Sequence, residues 1–259
     1  MVRRQSRDVK EINAMARSKC IGVDGTKGGW LAVLLDADDV TVNFYKAIDD
    51  LCAENADADI ILIDIPIGLP EKVNDERPDA ALRKVLKGKT SSVFNTPCRQ
   101  AVYMEDYDTA NGVNRENVGK GLSKQSFAIS GKIKEVDNFL TKSQNMHWRE
   151  RLVESHPEYG FSILNGGRPV LENKKTESGI DSRYSLLSKH LPNLDSFYIY
   201  VTQNAFYRSR VDDVLDALCL AVIGRFGLTN GFRTIPGSVS IDSKGLKMQI
   251  VYGVIDEPM

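Results

Sequence analysis

The chain has 259 residues, of which 42% are hydrophobic and 27% charged, and its formal net charge is -1. That length fits one large domain or one domain carrying a sizeable insertion. The balanced charge excludes a global field for polyanions, so affinity for nucleic acid has to come from local patches, and apolar runs of strand length fall short of the roughly 20 residues that span a bilayer.

Residues 1–19 carry six Lys/Arg and two acids without the continuous apolar core of a secretory signal. Val9, Ile12 and Met15 fall at helical spacing, so a tail or short helix is expected before a domain over 20–256. Runs at 21–24, 30–35 and 40–45, separated by short Gly or Asp turns, predict an antiparallel meander. Ile48, Leu51 and Cys52 at i, i+3, i+4 predict a helix over 47–55. The apolar run at 60–63, ending on Asp64, has the composition of a central strand buried on both faces.

From about 71 to 150 the texture turns polar and helix- and loop-rich, which predicts an insertion between strands. Beyond it come a short strand at 152–154, a helix at 183–190, a strand at 197–201 and a long helix from about 211 to 226. A final strand pair surrounds the polar turn Asp242-Ser243-Lys244-Gly245. This order predicts an α/β fold, a mixed five-stranded sheet flanked by helices with a helical insertion, and it is the order of the ribonuclease H-like fold. The four cysteines are scattered, with no CxxC pair. Three of them sit in apolar stretches and are expected as small buried hydrophobes, in a reduced, cytoplasmic compartment and without a zinc site.

Asp24 and Asp64 each terminate an apolar run. A buried, unpaired carboxylate costs several kcal/mol, so such positions call for a cation or a dense set of donors; capping a turn before Gly or Pro is the plainer use. In VDDVLDALCLAV, Asp213 and Asp216 are three apart and share one helix face. Acids there also complement the helix dipole. Together the four aspartates make a candidate site for Mg2+ or Mn2+, hard cations that prefer oxygen, and two such ions can drive phosphodiester hydrolysis. Glu154, in LVESHPEYGF, is a candidate further catalytic acid, and His156 and Glu158 are candidates for proton transfer.

The insertion holds two acid-free basic tracts, 83–104 and 119–134. Arg83, Lys89, Ser92, Arg99, Lys124 and Lys132 are therefore candidate phosphate contacts, with Lys175 beyond the insertion and Lys174 and Arg183 as weaker ones. A solvated helical face is the alternative for each tract.

Seven ordered blocks, GVDGTKGGWLAV, IDIPIGLP, SSVFNTPCR, GLSKQSFAISGKIKEVD, ESHPEYGFSILNGG, KKTESG and DDVLDAL, resemble the family known as domain of unknown function 429. That family is described as predicted nucleases of ribonuclease H-like fold, and the resemblance covers residues 20–252. The last helix is also similar to that of Holliday-junction resolvases. The resemblance implies that Asp24 is the first-strand metal ligand and Asp64 the acid after the first helix, where resolvases typically carry glutamate.

The expected function is thus a metal-dependent nuclease acting on DNA or RNA, with no membrane partner and with a homodimer allowed. Two other readings stay open. Asp-Gly-Thr followed by glycines also resembles the phosphate hairpin of ATP-dependent phosphotransferases of the actin and sugar-kinase fold, although a second hairpin and an adenosine motif are missing. A non-catalytic nucleic-acid-binding module with the same fold is the third.

Overall fold

The computed structural model describes residues 18–255. The expected N-terminal tail or helix lies, but for its last two residues, outside them. Strands β1 (Lys19–Thr26), β2 (Gly29–Asp36) and β3 (Asp39–Tyr45) form the antiparallel meander, and helix α1 (Ile48–Glu54) leads into β4 (Ile60–Ile63). Strand β4 pairs with β1 in parallel, Val23 opposite Ile63. With β5 (Leu152–Glu154) the sheet has five strands in the order β3-β2-β1-β4-β5. The expected α/β architecture, a mixed five-stranded sheet flanked by helices, is what forms.

Covering of both faces explains the unbroken apolar character of the middle strands. All four residues of β4 are buried, as are Cys20 to Asp24 of β1. The edge strand β3 instead alternates, with Asp39, Thr41 and Asn43 exposed.

The described residues fold as two compact units, one comprising residues 18–64, 155–233 and 252–255 and the other 65–154 and 234–251. Helices α2 (Asp79–Val85), α3 (Arg99–Val102), α4 (Tyr107–Val118), α5 (Lys124–Ala128) and α6 (Ser130–Thr141) occupy the stretch expected to be helical. In the first unit follow α7 (Pro157–Leu164), α8 (Glu177–Ser188), α9 (Leu194–Gln203), α10 (Ala205–Arg208) and the 20-residue α11 (Val211–Asn230). Strands β6 (Phe232–Ile241) and β7 (Lys247–Gly253) form the late hairpin, whose turn Asp242 closes by accepting from the Leu246 amide at 2.9 Å.

One expected strand is a helix. The run at 197–201 is rich in aromatic and β-branched residues, a composition that favours strands, yet it lies inside α9. The buried positions decide the matter: Leu194, Phe197 and Val201 recur at helical spacing, which leaves Ile199 and Tyr200 exposed.

The second unit is held by two buried arginines. Arg77 donates to the carbonyls of Ile67 (2.7 Å) and Gly68 (3.0 Å) and to Glu154 Oε1 (2.6 Å). Arg99 is 8% exposed and pairs with Glu71, Asp137 and Asp242. Removing one partner of a buried pair strands the other. Arg77→Met is therefore expected to cost about 3–5 kcal/mol, read as a lower denaturant midpoint with an unchanged slope.

Candidate metal centre

The site grows from the close approach of α11 to β1. Gly22 has no side chain, and a Cβ there would overlap the Ala217 carbonyl and lie 2.5 Å from the Ala221 amide nitrogen. A Cβ on Gly224 would sit 3.6 Å from Cys20. Helix and strand therefore run antiparallel. Two residues on from Gly22, about 6.6 Å along the strand, Asp24 lies on the same face. Four residues back from Ala217, about 6 Å along the helix, lies Asp213. The strand continues to Thr26, whose hydroxyl donates to Asp213 Oδ2 at 2.8 Å.

Asp24 does not end its strand, as expected from the sequence. Strand β1 runs on to Thr26 because its pairing with β2 persists, Asp24 opposite Leu31 and Thr26 opposite Gly29. On the β4 side the register stops at Val23, whose carbonyl accepts from the Asp64 amide at 2.9 Å. Asp24 and Asp64 thus stand side by side where the parallel ladder ends. Asp24 is 8% exposed and Asp216 2%.

Burial and mutual repulsion govern these acids. Burial raises Asp24 well above the usual carboxylate range, and Asp64, Asp216 and Asp213 push it further. Asp64 is raised by burial while His156 and Lys174 pull it down. Burial lifts Asp216 to about 6 against the pull of Lys174, and it raises Asp213 against the Thr26 hydrogen bond. Asp24 thus feels the other three aspartates, Asp216 feels Asp64, and His156 acts on Asp64.

The only cation touching the cluster among the hydrogen bonds of the described residues is Lys174, whose Nζ donates to Asp216 Oδ2 at 2.6 Å and lies 3.8 Å from Asp212 Oδ2. Burial pulls this ammonium down, but Asp216, Asp24 and Asp212 more than reverse it and hold it charged. Behind it, the fully buried Arg183 donates to Glu158 Oε1 at 2.8 Å. Neither Arg183 nor Glu158 is placed to meet solvent.

Asp216 gives a pH dependence whose sign follows from its upward shift. Its ordinary value is 3.8 and its value here about 6, so its stabilising contribution is present below the first and lost as pH rises through the second. In EDTA, the melting temperature of the native protein relative to Asp216→Asn should fall between about pH 4 and about pH 7. A flat difference across that range would contradict the assignment.

Among the described residues no three His, Cys, Asp or Glu side chains converge closely enough, as they stand, to hold a metal ion. The chemistry of the set nevertheless fits a hard divalent cation. Its donors are all oxygens, they repel one another, and Asp216 Oδ1 is buried with no hydrogen-bond partner.

The other candidates lie elsewhere. Glu154, in the second unit, accepts from Arg77 and, at 2.8 Å, from the Ile67 amide; burial pushes its carboxyl up to about 7 against the pull of Arg77. Arg83 donates to the Val93 carbonyl at 2.6 Å and so pins the SSVFNTPCR loop. Arg99 is engaged by its three acids. Ser92 Oγ donates to the Lys89 carbonyl at 2.7 Å, Lys124 Nζ sits 5.8 Å from the Tyr107 ring centre, and Lys89 and Lys132 are half-buried. Lys175, in the first unit, is exposed and lowers Asp213. Sequence reasoning missed the hydroxyl of Thr26 and the part played by Lys174; the only signals were DGT and KKTESG themselves.

No helix among the described residues is long and apolar enough to cross a membrane. Residues 22–240 match the model of a family described as protein of unknown function (DUF429). Comparison with curated proteins and with solved structures yields no match.

Proposed function

The chain belongs to the DUF429 family, and from its aspartate cluster we propose that it is a metal-dependent nuclease of ribonuclease H-like fold, hydrolysing phosphodiester bonds in nucleic acid. The observation that carries this reading is that the buried Asp24 lies within the fields of Asp64, Asp213 and Asp216, with a buried carboxylate oxygen of Asp216 left unpaired. A divalent cation would relieve the repulsion within such a set. A bound Mg2+ or Mn2+ would supply Lewis-acid charge and an activated water at neutral pH.

The protein's own groups do the rest. Asp24, Asp64, Asp213 and Asp216 would hold the ion, with Asp213 oriented by the Thr26 hydroxyl. His156, whose charge lowers Asp64, would exchange a proton at that carboxylate. Lys175, exposed beside Asp213, is a cation available to a substrate phosphate. The proposed compartment is the cytoplasm.

The test is cleavage of branched, single-stranded and hybrid DNA and RNA with Mg2+ or Mn2+. Cutting should appear for at least one substrate and vanish in EDTA and in Asp213→Asn. Cleavage that survives both treatments would refute the assignment.

A further inference from the structure

We propose that the Lys174 ammonium is a resident cation of the aspartate cluster, standing where a second divalent ion would otherwise bind, so that the protein takes one such ion per chain. This rests on the nuclease reading and specifies its metal stoichiometry. Two observations carry it.

The first is the division of oxygens on α11. Asp216 gives Oδ2 to Lys174 at 2.6 Å and keeps Oδ1, buried and unpartnered. Asp213 gives Oδ2 to Thr26 at 2.8 Å. A carboxylate that gives one oxygen to each of two ions roughly 4 Å apart uses both of its oxygens. Each helix aspartate has one committed already, which suits a single ion beside a fixed ammonium.

The second is that the segment carrying Lys174 is built to hold it there. A Cβ on Gly179 would overlap the Asn173 carbonyl and lie 3.2 Å from the Lys174 nitrogen, so the loop presses on the first turn of α8. The Asn173 carbonyl accepts from the Thr176 amide (3.0 Å) and hydroxyl (2.8 Å), and Asn173 Oδ1 accepts from the Lys175 amide (3.0 Å). Thr176 in turn caps α8 by accepting from the Gly179 amide at 3.2 Å. The Lys174 side chain is 32% exposed, so its ammonium does not wander as a surface lysine would. The KKTESG block thereby acquires a purpose: its threonine and glycine fix the backbone that aims its first lysine.

Mn2+ binding to the full chain without substrate, followed by calorimetry and by the electron paramagnetic resonance of free Mn2+, decides the matter. The native protein and Lys174→Arg should bind one ion per chain, and Lys174→Met two. Two ions in the native protein, or one in folded Lys174→Met, would overturn the proposal while leaving the nuclease reading in place. No binding by any of the three would remove the nuclease reading itself. Should Lys174→Met fail to fold, judged by circular dichroism, Lys174→Gln takes its place and the native stoichiometry still discriminates.

Discussion

Asp24→Asn is expected to yield a metal-free protein that melts at higher temperature and no longer cuts nucleic acid. Both effects come from one charge. Asp24 is almost wholly buried, burial and three neighbouring aspartates oppose its ionisation, and Lys174 alone among the named neighbours favours it. Asparagine keeps the shape and leaves the pairing of residue 24 with Leu31 intact. It removes the repulsion, and each kcal/mol so recovered raises the melting temperature of a domain this size by about 2–4 °C. Activity should fall by about a thousandfold or more, equivalent to about 4 kcal/mol of barrier. Melting in EDTA and cleavage in Mn2+ read the two halves separately. A lower melting temperature would show the carboxylate to be a satisfied structural group, and unimpaired cleavage would take Asp24 out of the site.

The second large effect is expected at a residue with no functional group. Gly22→Val places a branched side chain where the Ala217 carbonyl, the Ala221 amide and Leu220 Cβ already lie. Two of these are backbone, so no rotamer change relieves the overlap. Helix α11 has to lift from β1, and the cost should be on the order of 5 kcal/mol, the exceptional end for a single substitution. The lift also parts Asp216 from Asp24. Any soluble Gly22→Val protein should therefore lose Mn2+ binding along with stability, whereas Arg77→Met should lose stability alone. Retention of native Mn2+ affinity by soluble Gly22→Val would mean that the helix does not set the site.

Much of this was legible in the residues because it rests on short-range pattern. The meander, α1, the buried β4 and α11 are all visible in spacing of apolar positions, and so is the pairing of Asp213 with Asp216 on one face. The meeting of those two with Asp24 and Asp64 follows once β4 and α11 are placed against β1. What failed was long-range or compensated. Residues 197–201 carry strand composition, but the buried Leu194 that sets their helical phase lies outside the run. The stretch around Arg99 lacks acids in sequence, yet Asp137 and Asp242 reach it from 38 and 143 residues away. A local count of charges says nothing of partners so distant. Lys174 is the same lesson in reverse: a lysine in an exposed-looking polar run finds its acid, Asp216, 42 residues further on.

The interleaving of the two units bears on how the protein is made. Each is assembled from separate stretches of chain, and both receive their last stretch from residues beyond 233. Gly253 shows what that means for the first unit: a Cβ there would overlap the Ile223 carbonyl, so the end of β7 closes against the far half of α11. A nascent chain emerging from the ribosome already holds Asp24, Asp64, Asp213 and Asp216 while α11 still lacks this neighbour. Arg99 likewise waits for Asp242. Neither unit is therefore complete without residues beyond 233, and a chain truncated at residue 230 would carry all four aspartates on an unfinished scaffold.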